Sequence, residues 1–178
     1  QIVIYETGMK LRPSSLPALA QCGGWESKPF DTTFTQMGTL RHEALEDLIK
    51  NKDRTKFDEL PETEADGVQW AADYININTS DTHPMEWEQN GTIEAGDVTI
   101  KGRYDLVNGN KLFDLKNQLE SKGKSYIPQM AAYALMIMMR DDLETFEAHL
   151  LYAAPKVVKT HKFTRAQAEK ILSDVVDN

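Results

Sequence analysis

Two aspartates and a lysine carry the first chemical signal in the chain. Asp105, Asp114 and Lys116 stand on two runs of alternating or β-branched residues, 97–107 and 111–117, separated by Asn108-Gly109-Asn110. Turn residues between such runs predict a β-hairpin. A two-residue Gly109-Asn110 turn sets Asp105 across from Asp114 and puts Tyr104 and Leu106 on the face of Phe113 and Leu115. An Asn108-Gly109 turn keeps the same faces, whereas a three-residue turn mixes apolar groups with carboxylates. Burial of the apolar set therefore selects a two-residue turn, because a one-residue slip exposes all of it. Arg103, Asp105, Asp114 and Lys116 then share one face. Opposed like charges cost up to about 1 kcal/mol. Either Arg103 and Lys116 screen the pair on a wet surface, or a divalent cation joins it, since converging carboxylate oxygens suit hard cations. In the second case Lys116 is placed to orient a water or to offset charge on a phosphate.

Other elements must bring partners to this hairpin. A helix is predicted over about 35–51, where Met37, Leu40, Ala44, Leu45, Leu48 and Ile49 repeat at threes and fours. It carries His42 and, one turn on, Glu46, which either hydrogen-bonds the imidazole or pairs with Lys50. A second helix, 125–140, is apolar on nearly every face and is expected to lie buried against the sheet. Gln129 and Tyr133 project from it as polar tips that need partners. Elsewhere a short helix after Pro13 ends near Gly23-Gly24, and an acid-started helix covers 62–77. Strands are predicted at 85–89, 92–95, 146–153 and 157–163, with turns at Asn90-Gly91 and Gly96-Asp97. Thr164 and Gln167 cap a closing helix that runs to about Val176. The class is α/β or α+β with a mixed sheet.

These residues resemble a known family. Gly102 three before Asp105, then Asp114-Leu115-Lys116 on the next strand, resembles the motif of the PD-(D/E)XK nuclease superfamily, without its optional proline. The stretch from Gly38 through His42 to Glu46 is similar to the G-x-x-x-H-x-x-x-E signature of the RecB-like exonuclease branch. Gln129-Met-Ala-Ala-Tyr133 is similar to that branch's Q-x-x-x-Y motif, and Leu11-Arg-Pro-Ser-Ser-Leu16 with Cys22 and Trp25 to its opening helix. The resemblance spans residues 11–133. It implies a restriction-endonuclease-like core, an antiparallel meander in a mixed sheet flanked by helices. It also implies Mg²⁺ or Mn²⁺ held by His42, Asp105, Asp114 and the Leu115 carbonyl. Lys116, Asp105, Asp114, Gln129 and Tyr133 would be the catalytic group, with Glu46 behind His42. The implied activity is metal-dependent hydrolysis of DNA to 5′-phosphate products by an exonuclease of phage or bacterial recombination and repair. The alternative is a non-catalytic DNA- or protein-binding module that keeps the fold. Some relatives hold an iron-sulfur cluster on four cysteines. This chain has one, Cys22, so a cluster is excluded and Cys22 reads as a small core residue. Helicase motifs are absent, so any unwinding or recombination partner would be another polypeptide.

Composition sets the frame. The 178 residues, 40% apolar, suit one domain. Residues 1–8, ahead of Met9, read as an upstream or cloning remnant, leaving 9–178 as a single nuclease domain. The net charge is −8, with 8 basic and 16 acidic residues over 1–89 but 12 of each over 90–178. A polyanion is therefore expected to approach the second half. Arg103, Lys122, Lys124, Lys156 and Lys159 are the candidates for gripping a DNA backbone. No apolar run approaches the roughly 20 residues a spanning helix needs. A single cysteine suggests a reducing interior, the cytoplasm of a bacterial cell or phage-infected host.

Overall fold

Leu106 pairs with Phe113, Val107 with Leu112 and Asn108 with Lys111, so the hairpin turns through Gly109-Asn110, with Gly109 at φ 62°. The structure, a computed structural model, describes residues 3–5, 8–21, 32–95, 98–121 and 125–177. Its elements are β1 (Val3–Tyr5), β2 (Gly8–Leu11), a 3₁₀ turn (Pro13–Ser15), α1 (Leu16–Gln21), α2 (Thr32–Glu46) with a widened last turn over Asp47–Asn51, α3 (Thr55–Asp58) and α4 (Glu62–Asn78). There follow β3 (Met85–Ala95), β4 (Val98–Asn108), β5 (Lys111–Lys116), α5 (Ile127–Asp141), β6 (Thr145–Tyr152), β7 (Val157–Thr164) and α6 (Arg165–Val176).

Five strands run β3-β4-β5-β6-β7, and the β1–β2 ribbon completes a seven-stranded sheet. The β3–β4–β5 meander is antiparallel, β5 pairs parallel with β6 across the α5 connection, and β6–β7 is a hairpin. This is an α+β architecture, a mixed sheet flanked by helices, consistent with the restriction-endonuclease-like fold. β3 runs along one edge of β4. β2 joins the other edge in parallel at Val98–Ile100, and β5 joins that same edge at Leu106–Asn108. Between them β4 has a fork, and Asp105 lies in it. Val3–Tyr5, set aside in the sequence reading, pairs with Gly8–Lys10 and so extends the sheet.

Helices cover both faces. Leu16, Ala168, Leu172 and the buried α5 pack with Ile100, Tyr104, Leu112 and Phe146 on one. Ala44, Leu45, Phe57, Val68 and Ile75 of α2, α3 and α4 pack with Leu106, Phe113, Leu115 and Leu151 on the other. At α6 the capping box forms as predicted: the Gln167 backbone N–H donates to Thr164 Oγ1 at 3.2 Å and the Thr164 backbone N–H donates to Gln167 Oε1 at 2.9 Å.

Two expectations fail for identifiable reasons. Asn90-Gly91 does not turn the chain but lies within β3, where Gly91 gives room to the Met136 side chain. Tyr104 and Leu106 do not share a face: Tyr104 packs on the α5 side, Leu106 on the α2/α4 side. The ladder between β3 and β4 skips one rung, Glu88 opposite Asp105, and Glu88 adopts φ 49°. An unbroken pleat alternates sides strictly; this interruption releases Asp105 from the alternation and turns the apolar side of β4 over. The expected Gly23-Gly24 helix end, the Gly96-Asp97 turn, Cys22 and Trp25 lie outside the described residues.

Candidate active site

The fork brings His42, Asp105, Asp114, Lys116, Gln129 and Tyr133 to one cleft of ≈ 480 Å³. α2 delivers His42, and a 2.9 Å ion pair from the buried Arg41 to Glu64 fastens that helix to α4. The imidazole stands between two acceptors, 2.8 Å from the Gly38 carbonyl at Nδ1 and 3.0 Å from Asp105 Oδ2 at Nε2. The Asp105 charge, against the cost of burial, pushes the His42 pKa up to about 9. Asp105 also accepts the Leu115 N–H at 3.2 Å. Burial is the largest single influence and resists its charge, but the imidazolium charge and hydrogen bond, Lys116 and the Leu115 N–H together hold the carboxylate below its usual range. Strand pairing stops one rung before Asp105 and Asp114 would oppose, so the fork, not a regular cross-strand rung, brings them together.

Asp114 is only 4% exposed and its Oδ1 has no hydrogen-bond donor. Lys116 Nζ lies 3.1 Å from that oxygen as an ion pair without hydrogen-bond alignment. Burial first, and then Asp105, raises the Asp114 pKa against the pull of Lys116. Burial works against the Lys116 charge as well, but the two aspartates more than offset it. The ammonium donates to Gln129 Oε1 at 3.1 Å and sits 4.4 Å over the Tyr126 ring. Gln129 in turn donates to the Tyr133 hydroxyl at a long 3.5 Å. Tyr133 stays a neutral phenol, its pKa raised by burial and then by Asp114 and Asp105. The two polar tips of α5 thus hold each other and the hairpin lysine.

Other predicted residues fall less centrally. Glu46 pairs with Lys50 at 3.3 Å, the second of its two readings, and the Gly38 carbonyl, four residues before His42, is what fixes the ring. That carbonyl was findable from helical spacing, but Tyr126 left no signal. Arg103 is exposed and 3.6 Å from Glu88. Lys156 is held by Asp66 on α4, and Lys159 by Glu120 at 2.9 Å, so both spend their charge on neighbours. Lys122 and Lys124 lie outside the described residues.

The fold has solved counterparts. A protein of Eubacterium rectale provisionally named an exonuclease matches with TM-score 0.55 and 12% identity, over 95% of this chain and 78% of its own. The protein SSO0001 matches over 98% of this chain and 77% of its own at 14% identity, with TM-score 0.41. At such identities the likeness extends to the fold alone. No known protein family matches the sequence, and no curated protein does.

Among the described residues, no three histidine, cysteine or carboxylate side chains are grouped as a metal cage in the arrangement seen. His42 and Asp105 are closed on each other, and Asp114 is drawn to Lys116. The donor set nonetheless suits a hard divalent cation: one imidazole, two carboxylates, and a buried carboxylate oxygen that lacks a donor. No helix among the described residues is long and apolar enough to cross a membrane.

Proposed function

We propose that this chain is a divalent-metal-dependent deoxyribonuclease of the PD-(D/E)XK superfamily and its RecB-like branch. Its work would be that of an exonuclease in the recombination or repair of bacterial or phage DNA, in the cytoplasm. The observation that carries this reading is the donorless oxygen of Asp114 in the cleft that also holds His42, Asp105 and Lys116. A buried carboxylate oxygen that no hydrogen bond satisfies costs about 1–3 kcal/mol, and only the 3.1 Å ion pair with Lys116 offsets that here, so its retention calls for a use. The provisional name of the Eubacterium rectale protein supports the exonuclease part.

His42, Asp105 and Asp114, with the Leu115 carbonyl, would hold Mg²⁺ or Mn²⁺. When bound, the cation supplies a water of lowered pKa and neutralises charge on the scissile phosphate. The protein's own groups do the rest. Lys116, fixed by Gln129 and Asp114, sets a positive charge where phosphate oxygens gain negative charge. Tyr133 and Gln129 keep that ammonium from turning towards bulk water. The Gly38 carbonyl holds the imidazole proton on Nδ1, leaving Nε2 to face the cleft. A helicase or recombination protein would supply unwinding from another chain.

The test is digestion of linear single- and double-stranded DNA with Mn²⁺ by the native chain beside Asp114→Ala. Loss of 5′-phosphorylated products by more than about 10³-fold in the variant, with the melting temperature retained, is the expected result. Equal digestion by both, or by neither, overturns the nuclease and leaves a binding module.

A further inference from the structure

We infer that one face of the β3–β4 hairpin is the bed on which a DNA strand lies as it enters the cleft, with Arg12, Lys101 and Arg103 gripping its phosphates. This deepens the nuclease reading and rests on it. Asn90 pairs with Arg103 and Thr92 with Lys101 across the two strands, so these four side chains share a face, and all four are exposed. Arg12 and Ser14 form the near wall of the same groove, which has a volume of ≈ 590 Å³.

Its charge sets it apart. In a chain of net charge −8, no carboxylate lines this groove. The acids collect instead around a neighbouring opening beside His42, where Glu43, Glu46, Asp47 and Glu88 stand with Lys56, and Arg103 borders both openings. Among the described residues Arg12 and Lys101 make no ion pair, and Arg103 has only Glu88 at 3.6 Å. Two cations without an ion-pair partner, and a third shared with Glu88, attract a polyanion to this groove, and the acids of the neighbouring opening repel it.

Geometry selects a nucleic-acid backbone among polyanions. Lys101 and Arg103 are two residues apart on one strand, hence about 6.6 Å apart, which is comparable with successive phosphates on an extended strand. Ser14, Asn90 and Thr92 add neutral donors that suit phosphate oxygens. The groove also ends in the right place. Gly102 and Tyr133 line it, and Tyr133 lines the cleft too. Asp105 follows Arg103 by two residues on β4, so a strand lying on Lys101 and Arg103 runs on towards Asp105.

The test is binding of a fluorescein-labelled 15-nucleotide single strand in EDTA, read by anisotropy across a salt series. Arg12→Gln/Lys101→Gln is compared with Lys162→Gln/Lys170→Gln, which removes the same charge on β7 and α6. The groove variant should bind at least tenfold more weakly, and the slope of log K against log[salt] should flatten by about 1.4 for two lost phosphate contacts. The control should stay within twofold of the native chain. Circular dichroism of both variants should match the native chain, since all four positions are exposed. Equal weakening in the two variants, or native affinity in the groove variant, overturns the groove. Failure of the nuclease reading shows separately, as absent digestion in Mn²⁺ whatever the anisotropy gives.

Discussion

His42 Nε2 stands 3.0 Å from Asp105 Oδ2, and Nδ1 of the same ring stands 2.8 Å from the Gly38 carbonyl. Both neighbours accept, so the ring needs two protons, and its pKa rises to about 9 chiefly because of the Asp105 charge. A folded-state pKa above the unfolded value of 6.5 stabilises fully below pH 6.5 and loses that effect as pH climbs through about 9. Roughly a third of each side chain meets water, which screens the effect to about 1 kcal/mol. In EDTA, the melting temperature should fall by about 2–4 °C between pH 6.5 and 9.5. Asp105→Asn should abolish the fall; its persistence in that variant would assign it elsewhere. A divalent cation must displace the same Nε2 proton, so Mn²⁺ affinity measured calorimetrically should rise over this window.

Gln129 holds Lys116 through one 3.1 Å hydrogen bond, and its other side-chain hydrogen bond among the described residues goes to Tyr133. Gln129→Leu keeps the volume and frees the ammonium. The expected result is a kcat lower by about 10- to 100-fold with KM little changed, the signature of a misplaced group rather than lost binding. A drop in DNA affinity with unchanged kcat would instead make Gln129 a contact to substrate.

Gly102 lies where β4 passes under the 3₁₀ turn, and a Cβ there would stand 2.5 Å from Pro13 Cδ and 3.3 Å from the Tyr133 ring. Neither a proline ring nor a buried tyrosine yields easily. Gly102→Ala should cost about 1–3 kcal/mol in a urea melt. It should also lower activity beyond what lost stability explains, because Tyr133 is one of the neighbours displaced. Native stability would mean that Pro13 is free to move.

Much of this was legible in residues alone, and what was not has physical causes. The hairpin register followed from burying Tyr104 and Leu106 with Phe113 and Leu115, and it holds although only Leu106 of the first two lies on that face, because two-residue periodicity makes a wrong slip expensive. The capping box at Thr164 was equally readable, being a local pattern. The reversal of sides at Asp105 was hidden, since alternation assumes an unbroken pleat and the break depends on a left-handed Glu88 across the sheet. Asn90-Gly91 carries turn residues yet serves a tertiary need, clearance for Met136. Charge counting found the basic half but could not see that Asp66 and Glu120 neutralise Lys156 and Lys159, or that Arg12 swings in from far upstream.

Asp114 lies opposite Leu150 in a parallel pairing, and β6, which carries Leu150, is made only after α5. A chain halted on the ribosome before residue 145 owns every proposed ligand, yet its β5 lacks the flanking strand that seats Asp114. Parallel pairing across a long connection is also among the slower steps of folding. A fragment that ends before β6 thus lacks the pairing that seats Asp114, and on the proposed reading the donor set takes shape only once β6 is in place.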